Sequence, residues 1–481
     1  KRYCEIDCLV LKNGLETFGK WIFKVTGLNV MRFCSMASLG LDYLINQECF
    51  VNCYKLSGRP RDFIQKSVVG GRCMTKDNKK WEVSGQIDDF DAVSLYPSAM
   101  ARMEGFLKGK PKVIKNKTFD WLKNNSDGFF VKVLALNNPT INRDFPLLSN
   151  FNGDVRNFSN NTKGNEYYID KTTYEDCVKY QGLEFKIICG YYYDEGRNNT
   201  INDVIKHLFE ARLEAKKNKN PIQAIYKLLM NSCYGKCLLK PIDSETEIVY
   251  NENFDKYLSY NYNFIKDIVD CGDCKVIKKI KATNKHFNNV YAGVEVLSMS
   301  KRIMNEVICL GEDMGLNIYY QDTDSMHINS AEIKNLSDEF EKRNGRKLIG
   351  KNMGQFHSDF DLNGATNNIH ATKSFFLGKK CYIDELIGND DNGNNIEGLH
   401  IRMKGINLQG IEHYCEVNKI SVMDMYEELY TNDKLPNNGK FDLLAGGKAI
   451  KFKYNPDMSV CSVGEFKRSV NFNSPKGVLV I

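Results

Sequence analysis

The sequence predicts an α+β fold, and three observations carry that prediction. Residues 200–235 hold two successive helical patterns with no strand between them. The runs "GQIDDFDAVSLYP" (85–97) and "GLNIYYQDTDSMHI" (315–328) read as strands that enter turns, and "SFFLGKKCYIDEL" (374–386) has an aromatic, β-favouring start and end. Helix and strand signals mix without a βαβ rhythm, which argues against a doubly wound sheet. At 481 residues the chain is too long for one ordinary core, so several packed units are expected.

The first strand-like run ends at Asp91, and Pro97 prevents it from continuing in a sheet centre, so the backbone turns soon after that carboxylate. Asn/Gly/Asp-rich stretches at 150–165 and 387–398 read as surface loops. In the first helix Ile201, Val204, Ile205, Leu208, Phe209 and Leu213 share one apolar face. The polar turn "KKNKN" ends it, and Asn220-Pro221 starts a second helix. That helix carries Ile222, Ile225, Tyr226, Leu229 and Met230 on its apolar side. The two helices form a hairpin.

Composition narrows the class. There is no apolar run long enough to span a membrane, and 66 basic against 60 acidic residues leave a net charge of +6, which permits an anionic partner. Basic residues gather at 275–285 and 341–351; each run alone is a solvated face, and two together favour phosphate contacts. Sixteen cysteines lie scattered without regular spacing, as expected of reduced thiols in an intracellular protein rather than a disulfide framework. Cys271 and Cys274 lack a second pair at zinc-finger spacing, with His286 their only neighbour, and read as a loop with two thiols. The chain starts at Lys1 without a signal-peptide pattern, and a fragment or trimmed chain is expected.

Asp322 and Asp324 sit one residue apart in an otherwise apolar run. Two like charges this close resist desolvation unless a cation or water stands between them. Alone, they would mark a polar hairpin turn. If Asp91 joins them, three carboxylates suit a hard cation such as Mg²⁺. Two such ions roughly 4 Å apart can activate a 3′-hydroxyl and stabilise a leaving pyrophosphate. On the second helix Lys227, Asn231 and Tyr234 recur at i, i+4 and i+7, opposite its apolar side. Arg212 and Lys216 pair at i, i+4 on the first. Three cations and a tyrosine suit a triphosphate and the base attached to it.

Taken together, Asp91-x-x-Ser94-Leu95-Tyr96-Pro97, Lys227-x-x-x-Asn231-Ser232-x-Tyr234-Gly235 and Tyr320-x-Asp322-Thr323-Asp324-Ser325 resemble motifs A, B and C of the family B DNA polymerases, in the family's order. Lys380-Cys381-Tyr382 resembles its Lys-x-Tyr motif, and Lys404 its following basic segment. The resemblance implies a right-hand fold with an antiparallel palm, helical-hairpin fingers, a small thumb and two insertions. It implies that Asp91 with Ala92, and Asp324, hold two Mg²⁺ ions (Mn²⁺ substituting), with Asp322 a less direct ligand. Tyr96 and Leu95 would line the sugar of the incoming dNTP and select deoxyribose. Arg212, Lys216 and Lys227 would clamp the triphosphate, Lys227 protonating the pyrophosphate. Asn231 and Tyr234 would shape the base-pair pocket. Gly70, Gly71, Ser94, Thr323, Ser325, Lys380, Tyr382 and Lys404 would hold primer-template DNA. As an i, i+2 strand pair, Lys380 and Tyr382 would project from one face.

The 136 residues that separate Asp91 from Lys227 leave room for insertions, and this resembles the family's protein-primed branch. The expected units are an exonuclease tail and linker (1–66), palm (67–110), an insertion contacting a terminal protein primer (111–195), fingers (196–240), a second insertion (241–286), palm (287–405) and thumb (406–481). A monomer is expected. Two departures stand out. The linker motif Tyr-x-Gly-Gly keeps Gly70 and Gly71 but has Val68 in the tyrosine position. Tyr3-x-x-x-Asp7 resembles only the last of three exonuclease motifs. Two rivals are a catalytically silent DNA- or terminal-protein-binding remnant and a sugar transferase using Asp-x-Asp. The latter leaves Tyr96 and Lys227 unexplained.

Overall fold

The computed structural model describes residues 2–152, 155–240, 242–281, 286–445, 451–456, 459–463, 466–472 and 479–480. Its centre is an eight-stranded antiparallel sheet. In spatial order its strands are Cys73–Thr75, Ile318–Asp322, Ser325–Asn329, Trp81–Ala92, Asn367–Gly378, Cys381–Asn389 and Asn395–Met403, and Phe356–Ser358 also pairs with Trp81–Ala92. Side chains alternate between its faces. Met74, Phe90 and Met326 enter the main core, which also takes Val290, Ile303, Met304, Val307 and Ile308 from the 24-residue helix Val290–Asp313. That helix is buried nearly all round, as a central core helix must be. On the opposite face Tyr320, Phe376 and Tyr382 form a smaller aromatic cluster.

The predicted helical hairpin is present as Thr200–Lys217 and Gln223–Ser232. Asn220 Oδ1 accepts the Ile222 N–H at 3.0 Å, which secures the start of the second helix. The expected apolar positions are buried except Tyr226, which is half-buried, and Leu213, which is 39% exposed. The core contact at this end of the helix is made by Ala215 instead, two residues further on.

Between Lys112 and Tyr193 a four-stranded sheet (Lys112–Val113, Phe185–Tyr193, Gly128–Ala135, Glu166–Asp170) packs with helices Phe119–Asn125 and Lys171–Gln181 around a core of its own. A three-stranded sheet with helix Asn251–Asn261 occupies Ser244–Ile280. Its strand Cys274–Ile280 carries much of the basic run 275–285, where Lys275 pairs with Asp270 and Lys279 with Glu247, both at 2.7 Å; Lys285 lies outside the described residues. Helices Leu408–Asn418 and Val422–Asn432 build another core against Phe375, Cys381 and Ile383.

Both Asn/Gly/Asp-rich segments expected as loops contain β-hairpins instead. Ser149–Asn152 pairs with Val155–Phe158, and Ile387–Asn389 pairs with Asn395–Glu397. Turn-forming residues crowd the tips, and their composition hides the ladders on either side. The sixteen cysteines are all free thiols. Tyr3 and Asp7 lie exposed on the helix Arg2–Thr26.

A buried arginine fastens the four-stranded unit to the central helix. Arg143, with 3% of its side chain exposed, reaches Asp313 at 2.6 Å and Glu312 at 3.4 Å, and donates to the Tyr180 and Cys309 carbonyls. Replacing it leaves the half-buried acids without their cation. Arg143→Met is therefore expected to lower unfolding stability by about 3–5 kcal/mol, read from the urea midpoint; an unchanged midpoint would remove this attachment role.

Candidate active site

Strand register brings the predicted carboxylates onto one face. Cys73, Asp322, Ser325, Asp91 and His357 stand side by side across five neighbouring strands. In-register neighbours point the same way, so Asp322 and Asp91 flank Ser325. Thr323 and Asp324 make the two-residue turn between Ile318–Asp322 and Ser325–Asn329, with Thr323 in the left-handed region (φ 60°). Three backbone bonds hold this turn. Asp324 N–H donates to the Asp322 carbonyl (2.7 Å), Ala92 N–H to the Asp324 carbonyl (2.8 Å) and Thr323 N–H to the Arg72 carbonyl (2.8 Å). The Gly-Gly segment lies against the turn, because a Cβ on Gly71 would stand 2.5 Å from Thr323 Cγ2. Gly70 faces open space.

Electrostatics separate the three aspartates. Lys380 Nζ sits 2.8 Å from both carboxylate oxygens of Asp322, and the Tyr320 hydroxyl donates to the same group at 3.3 Å. Asp91 has no comparable partner. Burial, then the neighbouring Asp324, Asp359 and Asp89, push its pKa up to about 8, with Lys227 opposing. Asp324 is also raised, by burial first and then by Asp322, Asp89 and Asp359, against its own backbone hydrogen bond. A half-buried all-oxygen cluster with insufficient counter-charge has the chemistry that a hard divalent cation satisfies. On that ground Asp91 and Asp324 fit Mg²⁺.

Ser94 adopts a left-handed conformation (φ 51°, ψ 57°) and starts the helix Leu95–Arg102. This corner lifts Tyr96 to the helical hairpin, where its ring stacks on Tyr234 at 4.7 Å. Arg212 Nη1 donates to Ser94 Oγ at 3.3 Å, and its Nε is buried without a partner. Lys216, Lys227 and Asn231 are exposed on the hairpin. Leu95 is 3% exposed and belongs to the main core, so only its backbone can face a nucleotide.

The expected strand pair of Lys380 and Tyr382 is corrected. Gly378 pairs with Cys381, which leaves Lys379 and Lys380 as the turn, and Lys380 has a φ of +54°. Its side chain turns to Asp322. Tyr382 is 5% exposed, with its ring 4.7 Å from that of Tyr320. Lys404, exposed, donates its backbone N–H to the Lys380 carbonyl at 2.9 Å.

Two features escaped the sequence reading. Asp89 lies two residues before Asp91 on the same strand face, a signal present in "DDFD". Asp359, joined through its N–H to the Asp89 carbonyl at 2.9 Å, arrives only through tertiary folding. Behind them lies the one group among the described residues whose three His/Asp ligand atoms all fall within 4.8 Å: His327, Asp384 and His400. Both imidazoles share Asp384 Oδ2 (3.3 and 3.0 Å), and Ser374 Oγ donates to Oδ1 at 2.7 Å. Burial would raise Asp384, yet His327 and His400 hold it down at about 2. His327 Nδ1 is buried without a hydrogen-bond partner, 3.8 Å from Asp89 Oδ1, so the triad lies against the strand that carries Asp91.

Comparisons with known proteins bear on the fold and the family. The chain is 27% identical over 346 residues to a probable DNA polymerase of Ascobolus immersus, covering 69% of this chain and 26% of that protein. It is 24% identical over 402 residues to a DNA polymerase of Kluyveromyces lactis, covering 80% of this chain and 37% of the relative. The chain thus spans about a quarter to a third of the curated relatives it matches. Its fold resembles Phi29 DNA polymerase complexed with primer-template DNA (TM-score 0.59, 16% identity, 96% of this chain and 68% of that one). The complex that also holds incoming nucleotides gives a TM-score of 0.60 at 15% identity, over 93% and 69% of the two chains. The architecture is therefore the right-hand polymerase fold. The model for DNA polymerase type B, organellar and viral, matches residues 1–343, and the chain belongs to that family.

Proposed function

We propose that this chain is the synthetic core of a template-directed DNA polymerase that adds deoxyribonucleotides to a primer 3′-hydroxyl. The observation that carries the reading is the uncompensated Asp91–Asp324 cluster, with Lys227 close enough to Asp91 to oppose its raised pKa. Asp91, with Ala92 beside it, and Asp324 would hold two Mg²⁺ ions, and Mn²⁺ would substitute. When bound, these ions supply charge neutralisation for an in-line phosphoryl transfer.

The protein's own groups do the positioning. Lys227, Arg212 and Lys216 present cations from the helical hairpin to the triphosphate, and Lys227 supplies a proton to the departing pyrophosphate. Tyr96 braces against Tyr234, so its ring stays rigid where the sugar passes, and a 2′-hydroxyl meets it. Asn231 and Tyr234 shape the base-pair pocket. Lys380 holds Asp322 to one side, making that carboxylate an orienter of the turn. Gly70, Gly71, Ser94, Thr323, Ser325, Lys380 and Lys404 would then face primer-template DNA, Tyr382 acting from the aromatic cluster behind Lys380.

In this reading residues 67–110 and 287–405 are the palm, 196–240 the fingers and 406–481 the thumb. Residues 111–195 and 241–286 are insertions, the first a contact for a terminal protein primer. Residues 1–66 are linker and the end of an exonuclease domain, with Tyr3 and Asp7 its remnant. The enzyme would act as a monomer on a viral, plasmid or mobile-element genome inside the cell; no helix of the described residues is long and apolar enough to cross a membrane.

Primer extension with Mg²⁺ and four dNTPs tests the reading directly. Asp324→Asn is expected to lower the rate at least about 10³-fold, on the order of 4 kcal/mol in the barrier, while primer-template affinity stays within a few-fold. Extension by the Asn variant at the parent rate would refute the site, and none by the folded parent would leave a silent binding module. Tyr96→Val is expected to reduce discrimination against ribonucleotides at least about tenfold, the scale of a lost steric contact, measured as the ratio of kcat/KM for dNTP and rNTP. An unchanged ratio would take Tyr96 out of the gate.

A further inference from the structure

A second set of ligating side chains lies behind the carboxylate cluster. His327 and Asp384 are fully buried, and His400 keeps 19% of its side chain exposed. Two of their strands do not adjoin. Ser325–Asn329 and Cys381–Asn389 stand three places apart in the sheet, which in a flat sheet would be about 14 Å. The sheet curls here instead, and His327 Nε2 lies 3.3 Å from Asp384 Oδ2. His400, in register with Asp384 on the next strand, brings Nδ1 to 3.0 Å from the same oxygen.

Hydrogen bonding alone leaves His327 half satisfied. If its proton sits on Nε2 and is donated to Asp384, the bare Nδ1 lone pair faces Asp89 Oδ1 at 3.8 Å. Both of those atoms are buried without a hydrogen-bond partner. One buried acceptor aimed at another is costly for both. With a metal ion on Nε2, the ring proton sits on Nδ1 and points at Asp89, the carboxylate–imidazole–metal arrangement that fixes a ligating histidine. Ser374 Oγ donates to Asp384 Oδ1 at 2.7 Å, which turns Oδ2 towards the two imidazoles. The rings of Phe376 and Tyr382, 5.1 and 5.0 Å from that of His327, wall the group off from water.

We infer that His327 Nε2, Asp384 Oδ2 and His400 Nδ1 bind a zinc ion that staples the curled sheet behind the Asp322–Asp324 turn. Ligand atoms about 2.0–2.1 Å from zinc stand about 3.3 Å apart at tetrahedral angles. The two separations to Asp384 Oδ2 are close to that, and all three atoms fall within 4.8 Å of one another. Two imidazoles favour zinc over magnesium, which seeks oxygen. Asp384 and Asp89 together balance its two charges. Water would take the fourth position, on the side where His400 is exposed. The site uses neither Asp91 nor Asp324, so it stands apart from the polymerase reading.

Co²⁺ serves as the spectroscopic probe for zinc, titrated into the full chain in excess Mg²⁺ without DNA or nucleotide. Exposed thiols such as Cys4, Cys8 and Cys271 are alkylated beforehand. The parent is expected to bind one Co²⁺ per chain with tetrahedral visible absorption and no thiolate band, and to release it to Zn²⁺. Ser374→Ala is expected to weaken binding about tenfold, the scale of a lost outer partner, and His400→Gln by more than about 100-fold. Added Zn²⁺ should raise the melting temperature of the parent and leave that of His400→Gln unchanged. His400→Asp places an oxygen where Nδ1 stands, so it should bind Co²⁺ with shifted bands, and it decides the matter if the Gln variant does not fold. No tetrahedral spectrum from the folded parent, or none from folded His400→Asp, overturns the proposal and leaves His327 an imidazolium between Asp384 and Asp89. Binding indifferent to His400→Gln, or a thiolate band in the parent, places the ion on cysteines and also overturns it.

Discussion

Everything near the candidate site depends on holding Asp91 and Asp324 together against their own repulsion. Left to itself, that pair would favour proton uptake or separation, and burial sharpens the preference. The fold denies the second option through backbone rather than side chains. Ala92 N–H grips the Asp324 carbonyl, and the ladder from Cys73 to His357 sets the strand spacing. A β-hairpin tip is well suited to this, because register defines both position and facing with no flexible side chain in between. The price in stability is met by the apolar faces of the same strands, packed on the Val290–Asp313 helix.

Lys380 gives the cluster its asymmetry. By neutralising Asp322 alone, it leaves two of the three motif carboxylates short of positive charge, and those two lie on either side of the Ala92–Asp324 backbone bond. A cation drawn to the site therefore meets Asp91 and Asp324 first. The left-handed turn at Lys380 makes this possible, since a strand position would have sent the side chain out along the sheet. The tyrosine hydroxyl of Tyr320 accepts the Lys380 N–H and donates to Asp322, which ties the turn to the carboxylate it serves.

Much of this was legible in the sequence, for identifiable reasons. The hairpin at Asp322–Asp324, the strand ending near Asp91 and the helical hairpin are local patterns with strong periodicity and clear stops. Leu213, Lys380 and the two Asn-rich segments misled the reading because each depends on something non-local: which side of a helix the core takes, where a turn falls within a continuous β run, and which polar residues pair across a ladder. Asp359 and the His327–Asp384–His400 triad were out of reach for the same reason. Their chemistry exists only once three or four strands from distant parts of the chain are laid side by side. Asp89 differs, because alternation with Asp91 displays it in the sequence.

A net charge of +6 looks modest, yet the fold sorts it into opposites. Carboxylates collect at the sheet's hairpin tip, and unpaired cations line the helical hairpin. Ion pairs take up part of the remaining charge, as with Arg143, Arg197 and Arg302, each held by carboxylates against the central helix or its neighbours. These pairs are buried or half-buried, so breaking one leaves an uncompensated charge, and pairing them off keeps their fields from blurring the two poles. In the proposed function the anionic centre is matched to metal ions and bordered by cationic surfaces matched to a polyphosphate chain. A nucleic-acid backbone is repelled by the first and attracted by the second, so its reacting end can be delivered to the carboxylates only where cations bridge the two. In the proposed function this separation of charge would guide the strand where a large net charge could not, with Lys380 the lysine that enters the carboxylate cluster, at Asp322.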